Sequence, residues 1–157
     1  IIILDLSDSS TYPEQFPTTT GTKTGTYTLG GYEFKFSCND AFYCGTYKTS
    51  NYLMIGKSGK TDATASSVVF PGIQGLSLKS VAITASASTS TNVAATIRNS
   101  SDTDIISGGE SWTFAQSATH TYTLSGTSNN ASYRLYILGT GKKTYNAQLT
   151  KLELVYE

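Results

Sequence analysis

Three features of the sequence predict an all-β fold, an antiparallel β-sandwich of jelly-roll type. Apolar and polar residues alternate at a period of two in short runs along the whole chain, and helical periodicity is absent. Gly, Ser, Asn and Asp separate the runs at intervals of roughly 8–15 residues, the spacing of strands in sandwiches and barrels. With no internal repeat, linker-like stretch or charge run, one domain over residues 1–157 is expected, with about ten or eleven strands and no significant helix.

The elements follow in order. Ile2, Leu4 and Leu6 share one face of a first strand, and Ser7 to Lys23, with Pro13 and Pro17, forms a long irregular connection. Tyr27 and Leu29 alternate with threonines up to Gly30-Gly31; Tyr32, Phe34 and Phe36 then face one way, Glu33 and Lys35 the other. That pattern is a hairpin with its apolar face inward. Ala41–Tyr47 is a short aromatic strand, and Tyr52–Ile55 a firmer one ended by Gly56-Lys57-Ser58-Gly59. Ser67–Phe70 precedes a Pro71-Gly72 turn. From Leu76 to Ile83 the apolar face changes parity near Lys79-Ser80, which a β-bulge explains because one extra residue re-aims the side chains after it. Val93–Arg98, Ser111–Ala115, Thr121–Ser125 and Tyr133–Leu138 follow. Gln148–Tyr156 closes the series, with a second parity slip between Leu149 and Leu152.

Composition excludes several functions. Eleven Lys+Arg balance 11 Asp+Glu, and charged residues are 14% of the chain, against roughly 25% in soluble domains. Thr (25) and Ser (21) take their place. Zero net charge with only two arginines, Arg98 and Arg134, leaves no basic stripe for nucleic acid. The longest apolar run, Ile1–Leu4, is far short of the roughly 20 residues of a membrane-spanning helix. The 11 Tyr and 6 Phe can build a core, and a chain of this length buries roughly 70% of its unfolded surface. Ile at position 1 points to a processed or truncated chain, and the Thr, Ser, Tyr and Gly richness to an exported β-protein.

Chemically capable groups are sparse. His120 is the lone histidine, on one strand face with Tyr122, and no Ser or Cys sits in a nucleophile-elbow context. The acids are scattered: Glu33 and Glu153 read as outward strand positions, while Asp5, Asp8 and Asp40 lie near loops. A non-catalytic protein is expected, without a cofactor. Asn39-Asp40 and Asp102-Thr103-Asp104 offer hard oxygen donors for a structural calcium, although such residues ordinarily serve turns. Cys38 and Cys44 are too few for a closed zinc site. They form either a small disulfide ring across a loop or two free, partly buried thiols.

Carbohydrate binding suits the remaining residues best, because sugars stack an apolar face on aromatic rings and need fixed polar partners for their hydroxyls. The segment from Cys38 to Tyr47 gathers Asn39, Asp40, Phe42, Tyr43 and Tyr47, which together make a candidate loop-end site. The competing reading is that Phe42 or Tyr43 caps one end of the core. Trp112 alternates with Phe114, which favours core burial over ligand stacking, and Arg134 shares a strand face with Tyr136 in a pair able to hydrogen-bond a ligand.

Three phrases, Tyr52-Leu53-Met54-Ile55-Gly56-Lys57, Phe70-Pro71-Gly72-Ile73-Gln74-Gly75-Leu76-Ser77-Leu78-Lys79-Ser80-Val81 and Ala147-Gln148-Leu149-Thr150-Lys151-Leu152-Glu153-Leu154-Val155-Tyr156, occur in this order. From about Tyr27 to Tyr156 the chain thereby resembles all-β modules of exported lipoproteins and multidomain surface proteins of Bacteroides-type gut bacteria. The resemblance implies a galactose-binding-like jelly roll displayed outside the cell, binding carbohydrate and attached to other domains of a larger surface protein. It transfers no binding residues, because the phrases are strand-and-turn grammar and one fold hosts many functions. The alternative expectation is a structural or adhesive spacer that docks protein partners.

Overall fold

A computed structural model describes residues 1–56, 65–139 and 146–157. Twelve strands occur among them, one or two more than the sequence suggests. They are β1 (Ile2–Asp5), β2 (Thr24–Leu29), β3 (Tyr32–Cys38), β4 (Phe42–Tyr47), β5 (Ser50–Ile55), β6 (Ala65–Val69), β7 (Leu78–Ala85), β8 (Val93–Asn99), β9 (Trp112–Thr113), β10 (Thr119–Thr123), β11 (Tyr133–Gly139) and β12 (Ala147–Tyr156). A single 3-10 turn at Ser9–Thr11 interrupts the connection after β1, with the Asp8 carboxylate accepting from the Ser10 N–H. The turn expected after β5 lies, beyond Gly56, outside the described residues. No helix among the described residues is long and apolar enough to cross a membrane.

The strands form two antiparallel sheets. The first runs β10-β7-β12-β5-β4 with β1 also on β12; the second runs β2-β3-β6-β11-β8-β9. The pairing from β5 onward is nested, β5 with β12, β6 with β11, β7 with β10 and β8 with β9. A long hairpin wound around a core in this way is a jelly roll of eight strands in two Greek keys. The four earlier strands extend it: β4 pairs with β5, β3 with β6, and β1 lies along the second half of β12 while β5 holds its first half.

Alternation places the core. Phe34 and Phe36, Val81 and Ile83, Ala95 and Ile97, and Leu152 and Leu154 all point inward and are essentially inaccessible, each large side chain worth about 1.5–3 kcal/mol of burial. Gly30 and Gly31, at φ +58° and +87°, make the two-residue turn between β2 and β3, a backbone that glycine adopts without steric cost.

Both parity slips are β-bulges between β7 and β12. Ser80 faces Val155 but Leu78 faces Tyr156, so Lys79 is the extra residue; Leu149 faces Ala85 but Lys151 faces Thr84, so Thr150 is the other. The carbonyls these residues turn away from the ladder find new donors, Lys79 from the Leu124 N–H at 2.8 Å and Thr150 from the Leu6 N–H at 2.9 Å. The connection after β1 also covers the β4 edge, as the Phe42 and Cys44 N–H groups donate to the carbonyls of Thr22 (3.1 Å) and Pro17 (2.8 Å). An edge so covered cannot template pairing with another chain.

Candidate functional site

Residues 42–47 form a strand, in line with the Ala41–Tyr47 pattern, and its alternation divides the candidate site between two faces. Phe42 turns inward: it is fully buried, stacked on Phe36 at 4.5 Å and met edge-on by Phe16 and Tyr27. Its expected ligand contact is therefore corrected to a core role, because strand alternation gives Phe42 and Tyr43 opposite faces. Asn39 is exposed and Asp40 half-buried in the crossing between sheets, where Asp40 Oδ2 is buried without a hydrogen-bond partner. They stand at the start of β4, whereas Tyr47 ends it.

Of the two cysteine readings the structure has the second, and the disulfide candidate is corrected: both cysteines are free. Cys38 closes β3 in the second sheet and hydrogen-bonds Ser66, whereas Cys44 lies within β4 of the first sheet and hydrogen-bonds Tyr12. Burial pushes the Cys38 thiol up to about 12, only partly opposed by the Ser66 hydrogen bond.

Tyr43 and Tyr47 do share a surface. Both lie on the outer face of the first sheet, with Gly45 between them and Tyr52 opposite Gly45 on β5. A Cβ on residue 45 would stand 2.3 Å from Tyr52 Cε2, so glycine there lets the Tyr52 ring lie across the strand. The result is a tyrosine stripe, Tyr43–Tyr52–Tyr47, about 13 Å from end to end at strand spacing. Tyr43 is half-buried, its phenol pushed up by burial and then by Tyr52; Tyr47 is 56% exposed, with Lys48 Nζ 5.7 Å from its ring centre. Beside Tyr47 and Tyr52 lies a cleft of about 270 Å³, completed by Ser50, Ser86, Ser88 and Thr150. The Ser86 and Ser88 hydroxyls both donate to Gln148 Oε1 at 2.7 Å, which fixes that wall.

Trp112 is elsewhere. It is half-buried at the seam between the sheets, where β9 and β10 end them, stacked on His120 at 5.2 Å and tilted against Phe114 at 5.0 Å. His120 in turn meets Tyr122 edge-on at 4.6 Å. Two ring faces of this cluster cover each other, so Trp112 does not join the tyrosine stripe.

Arg134 occupies the outer face of the second sheet. It pairs with Asp102 Oδ2 at 3.0 Å, donates to the Ser67 hydroxyl at 3.2 Å and bonds the Ser100 carbonyl. Its direct cross-strand neighbour is Arg98, whose guanidinium lies 3.9 Å from the Tyr136 ring centre. Asp102, one expected calcium donor, thus faces a guanidinium, and Asp104 is exposed. Among the described residues no group of three or more His, Cys, Asp or Glu side chains converges as a metal site.

Sequence reasoning missed two neighbours of the candidate residues: Tyr52, largely buried at 9% exposure between Tyr43 and Tyr47, and Arg98 beside Arg134. Tyr52 stood in an apolar run, and the proximity of Arg98 to Arg134 depends on the β8–β11 register. The sequence matches no family model and no curated protein.

Proposed function

We propose that this chain is a non-catalytic, extracellular carbohydrate-binding module whose site is the tyrosine stripe Tyr43–Tyr52–Tyr47 with the cleft beside it. The observation that carries the reading is Tyr47, a large aromatic ring 56% exposed on a rigid sheet face and flanked by a cleft with three serine side chains. A sugar ring stacks on such a platform while its hydroxyls exchange hydrogen bonds with fixed polar groups. The low charge of the chain fits a neutral glycan. Ser/Thr richness and the resemblance to exported surface modules support a location outside the cell.

The test is a glycan-array screen, including mucin and plant polysaccharides, with and without calcium, followed by titration of any hit against Tyr47→Ala. Binding that falls at least tenfold in a variant of unchanged melting temperature supports the site. Absence of binding to every glycan, or binding indifferent to both Tyr43→Ala and Tyr47→Ala, overturns it. A second reading, docking of a neighbouring domain or protein, is favoured by one observation: Ile1 and Ile3, just ahead of β1 and within it, are 77% and 58% exposed. Loss of a co-purifying partner or domain contact on Ile3→Lys would select it.

A further inference from the structure

We infer that the cleft on the outer face of the second sheet is a separate site, for a sugar residue that carries a carboxylate, a hexuronate. Its walls are Ala94, Thr96 and Arg98 from β8, Tyr136 and Leu138 from β11, and Ile105 from the loop that folds back on β8 through an Arg98–Ile105 bridge. That loop is held by its own bonds: Asn99 Oδ1 accepts the Ser101 and Thr103 N–H groups at 3.1 Å, and the Ile106 N–H donates to the Ile97 carbonyl at 2.9 Å.

Charge selects the ligand. Two guanidinium groups sit directly opposite each other, and the one carboxylate between them, Asp102, is taken by Arg134. Arg98 is left with a ring to stack on and a long 3.5 Å contact to the Asp102 carbonyl, and among the described residues no acid pairs with it. An arginine so placed offers a planar fork for a carboxylate. Four buried polar atoms around it, Thr96 Oγ1, Arg98 Nε, Arg134 Nε and Asp102 Oδ1, have no hydrogen-bond partner, a condition that costs stability unless a ligand or water satisfies it. The opposite rim is apolar and open, with Ile105 54% and Leu138 40% exposed. A volume of about 270 Å³ admits one sugar residue and falls just below the range of drug-sized pockets. Carboxylate to Arg98, ring face to Ile105 and Leu138, hydroxyls to the exposed Ser111 that also lines the cleft: a hexuronate matches all three.

The experiment is an NMR titration of the whole chain, following the Ile105 and Leu138 methyl groups and, separately, the Tyr47 ring. The probes are D-glucuronate and D-galacturonate, their methyl esters, glucose, and inorganic phosphate. The expected result is saturable movement of the two methyls by at least one uronate, with a dissociation constant on the order of 1 mM for a ligand this small. The esters and phosphate should bind at least tenfold more weakly. Arg98→Gln should lower uronate affinity at least tenfold, and so should Leu138→Glu, which places an acid on an already exposed rim. Equal response to acid and ester, phosphate binding as tight as uronate, or no movement with either uronate overturns the assignment. The ester comparison needs no variant, so it decides even if Arg98→Gln fails to fold. The tyrosine stripe is reported by Tyr47 alone, so either site can fail without the other.

Discussion

Phe36 and Phe42 come from different sheets and stack across the core at 4.5 Å, their ring planes 11° from parallel. The five residues between them carry the chain from one sheet to the other, so this contact fixes where β4 begins and which of its residues face outward. Phe42→Ala removes one member of the stack and the edge contacts to Phe16 and Tyr27, and is expected to cost about 3–5 kcal/mol. Urea denaturation would measure it. A cost under about 1 kcal/mol would mean that Phe42 is not seated in the core.

Tyr47 should behave in the opposite way. It is more than half exposed, so Tyr47→Ala is expected to change stability by less than about 0.5 kcal/mol while abolishing glycan binding. Tyr52→Ala, which uncovers Gly45 and the face beneath it, should lower both. Calorimetric melting of the two variants beside the parent separates these outcomes.

The thiols give a redox prediction. Because Cys38 and Cys44 are free, reductant should leave the melting temperature unchanged, and both should alkylate in denaturant without prior reduction. In the native protein Cys38, at 6% exposure, should resist alkylation longer than Cys44. Intact-mass spectrometry reads both.

Stability should decline in alkali. The Cys38 thiol is held at about 12 against an ordinary value of 9.0, chiefly by burial, so the folded state keeps a proton that the unfolded chain gives up. The contribution is intact below about pH 9 and is lost as pH rises through about 12, with a slope of at most ~1.4 kcal/mol per pH unit for one proton. Tyr12, Tyr122 and Tyr156, pushed upward mainly by burial, act in the same direction. Cys38→Ala should flatten the early part of the decline in denaturation midpoints measured from pH 8 to 11.

Asp102 does more than pair with Arg134. Removing it leaves Arg98 and Arg134 as like charges on opposed strand positions. Asp102→Ala should therefore cost more than Arg134→Ala, by about 1 kcal/mol after allowance for partial exposure. Added salt should narrow the gap, and a double-mutant cycle at low and high ionic strength tests it.

Much of the fold was legible because alternation records burial residue by residue. Even the two bulges showed, as apolar positions that change parity at Lys79-Ser80 and between Leu149 and Leu152. The site was less legible, for two physical reasons. In Phe42–Tyr47 both faces carry aromatics, so period-two reasoning found the strand but could not say whether Phe42 or Tyr43 turned inward. The clefts, too, are made by cross-strand register: Arg98 meets Arg134, and Gly45 meets Tyr52, through pairings that no local pattern contains. The cysteine pair stayed open between a disulfide and two free thiols for a similar reason, since closeness in sequence concealed a crossing between sheets.

The pairing of Ile2 with Leu154 bears on how force would pass through this protein. As antiparallel neighbours, these two residues lie at one corner of the sandwich. Tension applied between Ile2 and Leu154 would open the β1–β12 ladder one rung at a time, like a zip, instead of shearing its four residue pairs together. A fold closed in this way yields early to a pull on residues 2 and 154, where a sheared ladder of the same length would hold.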